Sequence, residues 1–172
     1  MTIQDALTMA DTMRPNRIDD EQKIMWLSQL DGIIWNDLVV THEIPQRILE
    51  QYGIDLPERK SVDVLPNTPA DQIIWGQSPW DVPKEAFYPP QHIQLPDFPG
   101  YGNETDRGTE LLVQPPYHDL YLHWLLSRID MINQEYDLYQ NDAALFNNAY
   151  LTYQDYYNRT YVPNHGVTGF RM

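Results

Sequence analysis

The sequence predicts a mainly α fold: a small antiparallel helical bundle with a long proline-rich extended arm and a C-terminal tail. Two observations predict it. Apolar residues recur at helical spacing near both ends of the chain. Proline is spread unevenly, with one in residues 1–42, twelve in residues 43–116 and one in residues 117–172. Because proline removes a backbone donor and breaks helix interiors, long helices are confined to the two ends. Residues 1–42 and 109–161 are therefore the expected helical core, 43–108 the expected arm and 162–172 the tail.

The first helix is expected over residues 3–13. Thr2 can cap it, Asp5 suits its positive end, and Ile3, Ala6, Leu7, Ala10 and Met13 share a face before Pro15-Asn16 break it. A second helix follows Asp19, where Gln22 can complete a capping box. Ile24, Leu27, Leu30, Ile34 and Leu38 form its apolar stripe, widened by Trp26 and Ile33, and it ends near Val40. Gly32 inside it points to a close helix contact, since glycine costs a helix about 1 kcal/mol relative to alanine.

In the middle segment, Pro45 to Tyr52 suits a short helix closed by Gly53. Thr68-Pro69-Ala70-Asp71 is a second start signal with Gly76 as its stop; the remaining prolines suit extended chain and turns. In the last third, Pro116 fits a first helical position, followed by Leu120, Trp124, Ile129, Met131, Ile132 and Tyr136. A turn is expected at Gln140-Asn141, with Asn141 capping a final helix. Phe146, Tyr150, Tyr153 and Tyr157 line one seam of that helix until Asn158 and Pro163 end it. The expected core helices are thus 19–40, 116–139 and 142–158, with 3–13 alongside.

Composition excludes several classes of function. With 11 Lys+Arg against 25 Asp+Glu, the formal charge is −14, which opposes phosphate binding. Residues 109–158 hold seven acids and one base, Arg128, so the tyrosines are no platform for single-stranded nucleic acid. There is no cysteine, which removes disulfides, thiolate nucleophiles and cysteine-ligated zinc. No run approaches 18 apolar residues, and Met1-Thr2-Ile3-Gln4-Asp5 lacks the basic flank of a secretion signal. The triplets Asn103-Glu104-Thr105 and Asn158-Arg159-Thr160 are chance matches in a protein made in the cytoplasm.

Nothing in the pattern points to catalysis, a metal or a cofactor. His118 and His123 are five apart and miss a shared helical face. Asp119 and His123 are four apart and suit a surface hydrogen bond. Gly100-Tyr101-Gly102 with Gly108 has no phosphate-loop spacing. The expectation is a protein that is not an enzyme.

Three blocks carry a resemblance to a known family. The first is Arg14-Pro15-Asn16, then Asp20-Glu21-Gln22-Lys23, then Trp26-Leu27-Ser28-Gln29-Leu30-Asp31-Gly32. The second is Thr109-Glu110-Leu111-Leu112-Val113 leading into Pro116-Tyr117 and Asp119-Leu120-Tyr121. The third runs from Ala144-Leu145-Phe146-Asn147-Asn148-Ala149-Tyr150 to Tyr156-Tyr157-Asn158-Arg159-Thr160. In this order they resemble the head–tail connector (adaptor) proteins of long-tailed bacteriophages. The stretch from His42 to Tyr101 is longer than that family's pattern, and the tail after Pro163 is an addition.

The resemblance implies a virion protein of the neck between capsid and tail, made in the host cytoplasm. Its subunits form a homo-oligomeric ring, twelve-fold in the family, below the portal protein. The ring meets the next tail-side neck component; DNA passes through without being bound, and no membrane is involved. The resemblance implies no catalytic residue and no cofactor. A ring needs two different adhesive surfaces on each subunit, and the apolar helical faces suit that need. The aromatic residues of the arm, Trp75, Trp80, Phe87 and Tyr88, are candidate interface anchors, as are Tyr150, Tyr153 and Tyr157. The alternative is an acidic DNA mimic that inhibits a DNA-binding protein; it predicts carboxylates spaced along one exposed face.

Overall fold

The computed structural model describes residues 1–54 and 97–163. The chain is mainly helical: α1 Ile3–Met13, α2 Asp20–Ile34, α3 Gln46–Tyr52, α4 Asp119–Ile132 and α5 Tyr136–Thr160. At its end α2 widens into a π-helical turn, Trp35–Val39, where the Val40 amide donates to the Trp35 carbonyl at 2.9 Å. Among the described residues no strand forms. Two isolated antiparallel bridges, Thr2 with Glu110 and His42 with Pro163, tie the N-terminus and the end of α2 to later segments.

The first helix follows its sequence signals. Thr2 accepts from the Asp5 amide at 3.1 Å while its own amide donates to the Asp5 carboxylate at 2.9 Å, closing a capping box. The box expected at Gln22 does not form; Asp19 makes no side-chain cap, and the Gln22 amide meets the Asp19 carbonyl instead. Gly32 faces the Phe98 ring rather than a second helix: a Cβ there would lie 3.7 Å from it.

The middle of the molecule is α4. It packs against α1 and α2 and, most extensively, against α5. Trp124 meets Phe146, while Tyr117, just before α4, meets Tyr153 and Tyr156, so α5 runs back along α4. One core joins these helices, with Leu7, Leu27, Leu30, Ile34, Leu120, Leu125 and Ile129 fully or almost fully buried.

Both ends of the segment expected as an arm belong to this body. Ile48 of α3 and Tyr101 are buried in the core, because Trp35, Tyr52, Phe98 and Tyr101 interlock through ring contacts of 5.2–6.1 Å. Residues 55–96, with the start signal at Thr68 and the anchors Trp75, Trp80, Phe87 and Tyr88, lie outside the described residues, as does the tail from 164.

The last third departs most from expectation. Pro116 is not a first helical position; residues 114–117 close a turn and the helix begins at Asp119. The break falls at Asn133–Glu135, and α5 runs straight through Gln140-Asn141. Gln134 holds φ +61°. Its amide donates to Met131 O at 3.3 Å and the Glu135 amide to Asp130 O at 2.9 Å, a Schellman closure. The same closure ends α3, with Gly53 at φ +60°. Because glutamine replaces the usual glycine, the second closure carries no compositional mark. Met131, Ile132 and Tyr136, expected on the apolar stripe, are exposed at this tip.

A side chain in the left-handed region is strained, and glycine is not. Gln134→Gly is therefore expected to stabilise the protein by about 1 kcal/mol, read as a higher urea midpoint at unchanged slope.

Candidate functional site

The most unusual chemistry in the described residues is a carboxylate at the centre of the core. Asp31 lies on the apolar face of α2, between the positions of Leu27 and Ile34, and is wholly buried. It accepts from the Tyr101 hydroxyl at 2.6 Å, from the Leu112 amide at 3.2 Å and from the Tyr121 hydroxyl. Tyr121 in turn accepts from the Val113 amide at 2.9 Å. Arg47 of α3 donates to the Leu112 carbonyl, placing a cation beside the group. One side chain thus joins α2, α4, the loop at 101 and the segment 111–113, whose three residues are all buried.

Burial pushes the Asp31 carboxyl up to about 6, against the pull of the Tyr101 and Tyr121 hydroxyls, the Leu112 amide and the Arg47 charge. The same burial, together with the Asp31 charge, drives both tyrosine hydroxyls above their usual range, so they stay protonated donors. Asp31 and Tyr121 are fully buried and Tyr101 nearly so. Through the Leu112 and Val113 amides the cluster fixes the 111–113 backbone.

A second polar cluster fixes the α4–α5 hairpin to the end of α1. Arg14 reaches Asp130 of α4 at 3.1 Å and Asp142 of α5 at 3.5 Å, and His123 lies 3.3 Å from Asp142. Burial and then the Asp142 carboxyl raise Asp130 above the usual carboxylate range, opposed by Arg14. The surface pair expected between Asp119 and His123 is absent: His123 turns inward to Asp142, and Asp119 instead lies 3.7 Å from His118. Between α1 and α2, the buried Lys23 ammonium meets Asp11 at 2.6 Å.

The tyrosine seam lies inside the chain's own fold. Tyr153 and Tyr157 are buried, which leaves them little surface for a second subunit. Tyr150 is half-buried and donates to Asp37 at 3.1 Å; burial and that carboxylate push it up to about 12. The exposed large apolar side chains of α5 are Tyr136, Leu138, Leu145 and Leu151.

A solvent-open hollow of about 390 Å³ is lined by Met1, Asp5, Thr8, Met9, Pro115 and His118. Its carboxylate is already engaged in the α1 capping box, which holds Asp5 below the usual range. Among the described residues no group of three or more His, Asp or Glu is placed to hold a metal, and no helix is long and apolar enough to cross a membrane.

Sequence reasoning passed over Asp31, Tyr101, Tyr121 and Arg47. The available signal was positional: Asp31 occupies the very stripe formed by Ile24, Leu27, Ile34 and Leu38, where a charge demands partners.

The Asp31 value lies above the ordinary 3.8, so the native state binds more protons than the unfolded chain between about pH 4 and pH 6. Its contribution to stability is full below that window and lost as pH rises through about 6. Asp31→Asn has no such titration. Relative to wild type, its unfolding free energy should therefore rise by about 2 kcal/mol between pH 4 and pH 7.5. Urea melts across that range test this, and a pH-independent difference would refute it.

No family model, curated protein or solved structure matches the chain, so the residues and their geometry carry the functional reading.

Proposed function

We propose that the chain is a non-enzymatic virion protein of a long-tailed bacteriophage, a head–tail connector subunit. It forms a ring below the portal, extends the DNA channel towards the tail and offers a platform to the next neck component. The supporting observation is where the resembling blocks fall. The first supplies Asp31; the second supplies the Leu112 amide and Tyr121, and these meet in one buried cluster. The third is the body of α5, which packs along α4. Segments far apart in sequence therefore resemble the family at the residues that hold this fold together.

The charge suits the same role. A chain of formal charge −14 repels phosphate, so DNA can pass such a ring without sticking. Duplex DNA binding is expected to be undetectable in a filter assay at physiological salt. Tight, salt-sensitive binding would overturn the channel role. The alternative, an acidic DNA mimic, would have to draw its carboxylates from the exposed acids, since Asp31, Asp130 and Asp142 are buried.

In this role the aromatic residues Trp75, Trp80, Phe87 and Tyr88 contact neighbouring subunits or the portal. Deleting residues 62–95 spares the core ring of Phe98. The variant is expected to keep its helical circular dichroism and to lose assembly on portal, read by co-sedimentation. Assembly unchanged by the deletion would refute a role for that segment.

A further inference from the structure

Two enclosed carboxyls face each other across the α4–α5 hairpin, and one of their oxygens has no donor. Asp130 of α4 is wholly buried and Asp142 of α5 nearly so, with their carboxyls within hydrogen-bonding reach of each other. Arg14 serves both: Nε donates to Asp130 Oδ1 at 3.1 Å and a terminal nitrogen to Asp142 Oδ2 at 3.5 Å. The other Asp142 oxygen meets Nδ1 of His123 at 3.3 Å. Asp130 Oδ2 is buried and meets no donor among the described residues.

One guanidinium does not balance two enclosed carboxylates. With both ionised, a negative charge would remain away from water and Asp130 Oδ2 would face a second anion. A proton between the two carboxyls removes both faults: the orphan oxygen gains a partner, and one charge is left against Arg14. A proton on His123 does not, because that ring meets Asp142 Oδ1 and leaves Asp130 Oδ2 bare. The charged groups acting on Asp130 are Arg14 and Asp142. In α2, Lys23 is taken up by Asp11 of α1 and by Asp20, and Asp31 by its two tyrosines. Asp37 of the π-helical turn meets Tyr150 of α5.

From this geometry we infer that Asp130 and Asp142 share one proton in the folded chain, and that this proton is the clasp holding the α4–α5 hairpin to the end of α1. Burial and the facing carboxyl push Asp130 above the ordinary 3.8, while Arg14 opposes them. The folded pair thus keeps a proton that the separated carboxyls release. Its contribution to stability is full below about pH 4 and is lost as pH rises through the folded pair's own titration. The clasp lies within one chain and stands apart from the connector role.

Two measurements on the full-length chain test the clasp. Carboxyl-carbon NMR of aspartate-labelled protein follows both residues through a pH titration, with signals assigned from Asp130→Asn and Asp142→Asn. The wild-type pair is expected to titrate in two separated steps, the second above 3.8. Each asparagine variant puts a permanent amide donor in place of the shared proton, so its remaining carboxyl should titrate in one step, lower than that second step. Hydrogen exchange of the α5 amides around Asp142 is the other readout. Opening the clasp releases the proton, so the wild-type opening constant should climb by up to about tenfold per pH unit while the pair holds it. Either asparagine variant should flatten that climb, and the second stands in if the first loses its helical circular dichroism. Asp31 titrates alike in all three chains, so the difference belongs to the pair. His123→Gln should leave the climb unchanged.

Asp130 and Asp142 both ionising at or below 3.8 would overturn the inference. So would a climb that survives in both asparagine variants. A climb that vanishes in His123→Gln would place the proton on the imidazole and overturn it as well.

Discussion

A single buried carboxylate organises this fold. Asp31 brings a negative charge into the apolar face of α2, where an unpaired charge is strongly destabilising. Its oxygens are met by two tyrosine hydroxyls and a backbone amide drawn from the loop at 101, the segment 111–113 and α4. None of those segments is next to α2 in sequence. A hydrophobic contact would tolerate small shifts of each, but a buried carboxylate with directed donors does not. The loop backbone is held at the same place from the other side, where the Tyr101 amide donates to Ser28 at 2.9 Å and Gly100 adopts φ +74°. The left-handed φ of Gly100 strains any side chain there, and a Cβ would also press on the Ser28 hydroxyl at 3.0 Å.

Charge is handled in layers. The buried carboxylates meet named partners: Asp31 its two tyrosine hydroxyls, Asp130 and Asp142 the Arg14 guanidinium, while the buried Lys23 ammonium is met by the partly exposed Asp11. These few bases join helix to helix rather than decorating the surface, while Arg107 ties a loop to Asp20 of α2 at 2.5 Å. Arg17, Arg107 and Arg159 stay exposed, but with 25 acids against 11 bases the chain remains strongly acidic.

The aromatic residues divide into two sets. Trp35, Tyr52, Phe98 and Tyr101 close the core around α3 and the returning loop. Trp124, Phe146, Tyr150, Tyr153 and Tyr157 fasten α5 to the body, with the Trp124 indole also donating to the Trp26 carbonyl at 2.9 Å. Rings of this size bury large areas with few degrees of freedom, so they hold the long terminal helix firmly against the body.

The sequence by itself determined that the chain is mainly helical, where α1, α2 and α3 lie, and how α1 and α3 are capped. Those features depend on local periodicity and on Thr2, Asp5, Pro45 and Gly53, whose preferences act within a turn or two of their own position. Only the tertiary structure decided the rest. The hairpin turn fell at Gln134 because packing of α4 on α5 outweighs the strain of a left-handed glutamine, and no glycine marks the place. Tyr153 and Tyr157 went to the core while Leu145 and Leu151 stayed outside, because helical spacing defines faces without saying which face α4 will cover. Asp31 reads in the sequence as one acid among 25. It became the centre of the molecule because its partners lie about 70, 81 and 90 residues further along the chain, where no local pattern can reach.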